Sequence, residues 1–251
     1  MPDPDLEDLQ RVHHPAAIRE RLERPPRRQL VSDAVLGGID GCVTTFAVVA
    51  GSVGAGLPGS VALVLGLANL LADGFSMAVS NYEAVQAEAE HLANVRREEE
   101  LHVALVPAGE REEVRQLFAR KGFSGDILEQ VVDTICENTH RWVDTMLVEE
   151  HGLLPVPPRA WPSSLATFFA FVTVGIAPLL PLALSGLTAE RQFTFSCGLA
   201  ALMFFIVGSL KGLALGRPAL RAGFRTLLVG SIAAALAYGA GHGLRGLLMG
   251  S

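Results

Sequence analysis

No proline or glycine falls between Phe75 and Ala104, and across that stretch the chain changes character. The run GSVALVLGLANLLADGFSMAVS at 59–80 is apolar, whereas NYEAVQAEAEHLANVRREEELHVA at 81–104 is acidic. A stretch without breakers reads as one helix, so a membrane span is expected to continue into water as a carboxylate-bearing arm. Within the apolar half, Asn69, Asp73, Met77 and Ser80 recur at three- and four-residue intervals and share one face. A stripe of polar groups is expensive in hydrocarbon, so it is expected to line a path or a site and to avoid lipid.

Half of the 251 residues are hydrophobic and the mean hydropathy is +0.36. That is high for a soluble protein and low for one wholly embedded, so a mixed architecture follows. Five apolar segments, near 33–56, 59–82, 163–185, 192–213 and 222–248, each supply the roughly 20 residues that a spanning helix needs. The predicted class is all-α: a polytopic membrane protein with five transmembrane helices and a three-helix cytoplasmic metal-binding insert. The chain divides into an N-terminal tail at 1–32, two spans at 33–82, an acidic helical insert at 83–158 and three spans at 159–251.

Charge sets the orientation. Arg24, Arg27 and Arg28 precede the first span, Arg159 precedes the third, and Lys211, Arg217, Arg221 and Arg225 fall between the fourth and fifth. Basic loops stay cytoplasmic, so the N-terminus, the insert and the 211–225 loop are expected there. The net charge of −6 argues against nucleic-acid binding, which wants a basic face. Residues 1–32 lack the short basic region and apolar run of a cleaved leader, and His13 and His14 read as part of a solvated tail. Cys42, Cys136 and Cys197 are far apart and read as small buried residues, with no disulfide framework and no zinc ribbon.

The insert is expected to bend at VPAG (106–109), continue as a second helix from about 110 to Gly122, and form a third from an N-cap at Ser124 to about Gly152. Pro155, Pro157, Pro158 and Pro162 mark the return to the membrane.

Two places carry candidate chemistry. In the spans, Asp40 lies several residues inside the first apolar segment, where a carboxylate costs about 2.5–3.5 kcal/mol on insertion scales. Thr44 is one turn on. Met77 offers a soft thioether at a comparable depth, and Asp73 adds charge beside it. In the insert, Glu99 and His102 are three apart on the arm, Glu110 and Glu113 repeat that spacing, and Met146 and Glu150 lie four apart. Packed together they would gather carboxylates, an imidazole and a thioether, a set suited to Fe²⁺, Mn²⁺, Co²⁺ or Zn²⁺ more than to Ca²⁺. A different use is a membrane-anchored di-iron carboxylate enzyme, because Glu99–His102 and Glu137–His140 are two Glu-x-x-His motifs of the type found in di-iron bundles. A metal sensor anchored by idle spans ranks last, since an anchor has no need of Asp40, Asp73 and Asn69.

With IDGCVTTFAVVAG at 39–51, the Ser76–Tyr82 run and WVDTMLVEEHGL at 142–153 in place, the chain resembles the vacuolar iron transporters of plants and yeast and their bacterial relatives over most of 33–248. The resemblance implies a homodimer in the lipid bilayer, not an enzyme, that exports Fe²⁺ from the cytosol in exchange for protons. Asp40 and Met77 would be the transmembrane ligands, and Glu99, His102, Glu110, Glu113, Met146 and Glu150 the ligands of the insert. Two departures stand out: His102 occupies a position where the family usually has Glu, and Asn81 one where an acid is common. The short chain rich in Ala, Gly and Arg points to a bacterial cell membrane; a eukaryotic source would point to the vacuole.

Overall fold

The computed structural model describes residues 6–23 and 28–249. Among them there are ten α-helices and one 3₁₀ helix, and no strand. Arg24 and Arg27, counted above as basic flanks, lie outside the described residues. The chain forms two compact units, Met1–Tyr82 with Trp161–Ser251, and Glu83–Ala160.

The first unit opens with short helices α1 (Leu6–Val12) and α2 (Pro15–Glu23) in what the sequence suggested was plain tail. The two histidines there are occupied locally. His13 Nδ1 lies 2.8 Å from the Leu9 carbonyl, and the Ala16 amide donates to His14 Nδ1. Helix α3 (Arg28–Gly54) and the 47-residue α4 (Gly59–Leu105) follow, and α4 runs unbroken as its lack of breakers predicted.

The third apolar segment differs from the smooth span expected. Helix α8 (Ala160–Gly175) gives way to a 3₁₀ turn at Ala177–Ala183, bent by 41°. Pro178 and Pro181 fall inside that turn; lacking N–H groups, they cannot extend an α-helical ladder. Helices α9 (Ala189–Ala214) and α10 (Ala219–Met249) complete the unit. Among the described residues, four helices are long and apolar enough to cross a bilayer, and five if the bent pair counts as one. Their outward faces suit lipid: Val64, Leu71, Phe75, Phe169 and Leu228 are all exposed. Inside, Cys42, Phe46, Val49, Leu70, Phe171 and Phe204 form the buried cluster.

Glycines let α3 and α8 touch main chain to main chain. A Cβ on Gly41 would collide with the Phe171 carbonyl, one on Gly37 with the Thr167 carbonyl, and one on Gly175 with the Gly41 carbonyl. Overpacking of this kind costs about 1–3 kcal/mol. Gly41→Ala is therefore expected to lower the melting temperature of the detergent-solubilised protein by several degrees, read by thermal unfolding.

The second unit holds the end of α4 with α5 (Pro107–Arg120), α6 (Gly125–Cys136) and α7 (Thr139–Glu149). After α4 ends at Leu105, Pro107 opens the new helix at a position whose missing N–H is harmless. The single helix expected from Ser124 to about Gly152 is two. Asn138 interrupts it, its side-chain oxygen accepting from the Arg141 amide at 3.0 Å to cap α7, a role for which Asn is among the best residues. Ser124 takes the extended backbone of an N-cap but its hydroxyl makes no capping bond. Leu128, Val132 and Ile135 form one stripe on α6 and meet Leu92, Val95, Val114, Trp142, Val143 and Leu147 in the unit's core. Arg96 pairs with Asp144 at 2.5 Å, and Arg115 with Glu129 at 2.9 Å.

Candidate metal centre

Three helix ends in the second unit bring acids and imidazoles together. Glu99 and His102 sit one turn apart on α4. Glu110 and Glu113 lie in the first half of α5, near its positive dipole end, where carboxylates are favoured. Glu150 caps α7 and His151 follows it. His151 Nε2 stands 3.0 Å from Glu99 Oε1 and 3.9 Å from Glu150 Oε2. One ligand atom from each of these three residues falls within 4.8 Å of the other two, the only such group of three His, Cys, Asp or Glu residues among the described residues. His102 Nδ1 lies 3.5 Å from Glu110 Oε1.

Glu99 is 3% exposed and Glu110 is 6% exposed. In each, Oε2 is buried without a hydrogen-bond partner. An orphaned buried polar group costs about 1–3 kcal/mol, and more when charged; a divalent ion would offset that. Burial, then repulsion from Glu113 and Glu99, pushes Glu110 up to about 7 despite the opposing effect of His102. Glu150 is raised by burial and then by Glu113, against His151. These couplings join Glu113 to the cluster, and a cavity of about 90 Å³ lined by Glu113, Gln116, Leu117, Arg120 and Glu150 opens beside it. Met146, one turn before Glu150, is fully buried in the apolar core. The second Glu-x-x-His motif belongs elsewhere: His140 Nδ1 faces Asp144 at 3.0 Å, and neither it nor Glu137 joins the group around Glu99.

In the first unit, Asp40 and Asp73 are each half-buried and close enough to interact electrostatically. Thr44 Oγ1 donates to the Asp40 carbonyl at 3.0 Å, so that bond serves the helix and not the carboxylate. Met77 packs against the buried cluster of this unit. Asn69 Nδ2 is buried with no partner. Further along the same helix, Asn81 Nδ2 donates to Thr167 Oγ1 at 2.7 Å and to Ser163 Oγ at 3.2 Å. Ser163 in turn donates to Asp33 Oδ2. This four-residue network binds α3, α4 and α8.

A model of the VIT family matches residues 31–242. The chain belongs to the VIT family. Among curated relatives, this VIT-family chain is 34% identical to vacuolar iron transporter 1 of Oryza sativa over 231 residues, covering 89% of this chain and 90% of that protein. It is 33% identical to vacuolar iron transporter 1 of Arabidopsis thaliana over 84% of each, and 35% identical to the vacuolar iron transporter of Toxoplasma gondii over 84% of this chain and 73% of that one.

Two features of the VIT-family chain were not foreseen. One is the network of Asp33, Asn81, Ser163 and Thr167, whose members are spread over three helices. The other is His151. It lies beyond the helix, and its partner Glu99 is 52 positions away, so no spacing rule links them. Its neighbour holds it in place: Gly152 adopts φ +67°, and the Leu153 amide returns to the Leu147 carbonyl at 2.8 Å. A side chain in that left-handed conformation costs about 1–2 kcal/mol. Gly152→Ala is expected to lower the melting temperature by a few degrees and to weaken metal binding several-fold, read by calorimetric titration.

Proposed function

We propose that this chain is a proton-coupled divalent-metal transporter that carries Fe²⁺, and secondarily Mn²⁺, out of the cytosol. The observation that carries the reading is the pair of carboxylates, Asp40 and Asp73, inside segments apolar enough to cross a bilayer. Ionisable side chains at such depth mark ion paths. The names of the curated relatives, vacuolar iron transporters, support iron as the cargo.

Exchange follows from competition. A carboxylate must lose its proton to bind a metal ion, so loading M²⁺ on Asp40 or Asp73 releases protons, and reprotonation releases the ion. Asn69 and Met77 lie on the same face of α4 as Asp73 and supply an amide and a thioether along the route, with Thr44 beside Asp40. The acid and imidazole cluster, with Glu99, His102, Glu110, Glu113 and Glu150 as ligands and Met146 behind them, captures the ion from the cytosol before it enters the spans. Residues 83–158 form this metal-binding domain and face the cytoplasm with the N-terminus. A homodimer is the working unit, with the path between its subunits.

The test is flux into proteoliposomes of purified protein with Fe²⁺, Mn²⁺, Co²⁺ and Zn²⁺, with and without a pH gradient. Fe²⁺ uptake accelerated by an opposing proton gradient is expected. Uptake indifferent to the gradient removes proton coupling, and no uptake of any ion removes the transporter.

A further inference from the structure

We infer that His151 is a direct metal ligand and that its nitrogen biases the centre toward borderline ions, Fe²⁺, Co²⁺ and Zn²⁺, over Mn²⁺ and the hard ions Mg²⁺ and Ca²⁺. The inference rests on the reading that the cluster around Glu99 holds the cargo ion.

The geometry is the first argument. Ligand atoms on a four-coordinate ion with bonds of about 2.1 Å are separated by about 3.4 Å. His151 Nε2 stands 3.0 Å from Glu99 Oε1 and 3.9 Å from Glu150 Oε2, on either side of that value. One ligand atom from each of Glu99, Glu150 and His151 falls within 4.8 Å of the other two, close enough for a single ion to draw them together. The second argument is the unanswered oxygen. Glu99 is buried, and while Oε1 meets the imidazole, Oε2 has no partner. Without an ion, a proton between Nε2 and Oε1 holds the pair; an ion between them takes that proton's place, and Oε2 of the same carboxylate is free to bind it as well. Glu110 Oε2 is also buried and unpartnered, and its Oε1 lies 3.5 Å from His102 Nδ1.

Chemistry sets the selectivity. Carboxylates alone suit Mg²⁺, Ca²⁺ and Mn²⁺, whereas imidazole suits Fe, Zn, Cu and Ni. Adding His151 to His102 places two imidazoles among four carboxylates. The competing role is purely mechanical: an imidazole that hydrogen-bonds Glu99 and positions it without touching the ion. That role predicts equal losses for every ion when the ring is removed, whereas a ligand predicts a selective loss.

The experiment uses the full chain in detergent, titrated anaerobically with Zn²⁺ and with Mn²⁺ against a competing chelator. His151→Ala is expected to weaken Zn²⁺ binding by about tenfold or more, the scale on which outer contacts of metal sites already act, and Mn²⁺ binding by less than about threefold. His140→Ala, in a residue paired with Asp144 outside the cluster, is expected to change neither. Unchanged Zn²⁺ affinity in His151→Ala overturns the inference, as do equal losses for both ions. Failure of the wild-type chain to bind either ion overturns both the inference and the metal-site reading, so the two failures are distinguishable. Should His151→Ala fail to fold, zinc-edge absorption of His102→Gln at one equivalent of zinc decides: imidazole scattering is expected to persist, and its absence overturns the assignment.

Discussion

Proteoliposomes carrying Asp40→Asn are expected to take up no more Fe²⁺ than empty lipid vesicles, while the variant inserts and purifies like the parent. Asn keeps the volume and one carbonyl oxygen but removes the two properties the proposed exchange uses: a negative charge for the ion and a site for its proton. The carboxylate costs about 2.5–3.5 kcal/mol to place within a span, so removing it does not hinder insertion, and a size-exclusion profile matching the parent's separates a loss of flux from a failed fold. Asp73→Asn is expected to slow flux less, since Asp40 remains. Wild-type uptake by Asp40→Asn would dismiss the proposed path.

The second large effect is on pH. Glu110 is pushed from its ordinary 4.5 to about 7, first by burial and then by Glu113 and Glu99. The folded state thus holds this proton more tightly than the unfolded chain does. The resulting stabilisation is complete below about pH 4.5 and is lost as pH rises through about 7. At about 1.4 kcal/mol per pKa unit, the loss amounts to a few kcal/mol. Without metal, the protein is expected to melt several degrees lower at pH 8 than at pH 5.5, as judged by thermal unfolding in detergent. Fe²⁺ under anaerobic conditions is expected to restore stability at pH 8 and to do little at pH 5.5, where protons occupy the same oxygens. Glu110→Gln should flatten both responses. A metal-free melting temperature that climbs between pH 5.5 and 8 would refute the assignment.

Local rules made much of this legible. The unbroken α4 follows from the missing Gly and Pro between Phe75 and Ala104, and the break after it was expected at VPAG (106–109), although α5 begins at Pro107 and not at about 110. The apolar helices follow from composition. What escaped depended on rules that compete or on contacts distant in sequence. Asn138 signals a cap, yet the apolar pattern continues across it and suggested one helix where there are two. Pro178 and Pro181 were visible inside the third segment, but its hydropathy masked the bend they cause. Of the insert residues singled out by spacing, Glu99 and Glu150 share a group in the structure, and His102 sits beside Glu110. His151 came to light only once α4 and α7 were placed together, because a side chain beyond a helix end obeys no periodicity.

The glycine seam between α3 and α8 bears on how the proposed path past Asp40 would open and shut. Where two main chains touch, there is no layer of side chains to reshuffle, so sliding one past the other drives carbonyls into Cα atoms. Helix α4 meets α8 and the bent turn differently, with Gly74 against the rings of Phe171 and Phe168 and Gly66 against Leu179. Aromatic and leucine side chains can swing to new rotamers as their helix tilts. If an ion passes Asp40 as proposed, rearrangement is expected where α4, which bears Asp73 and Met77, meets side chains, and not along the α3–α8 seam that holds Asp40.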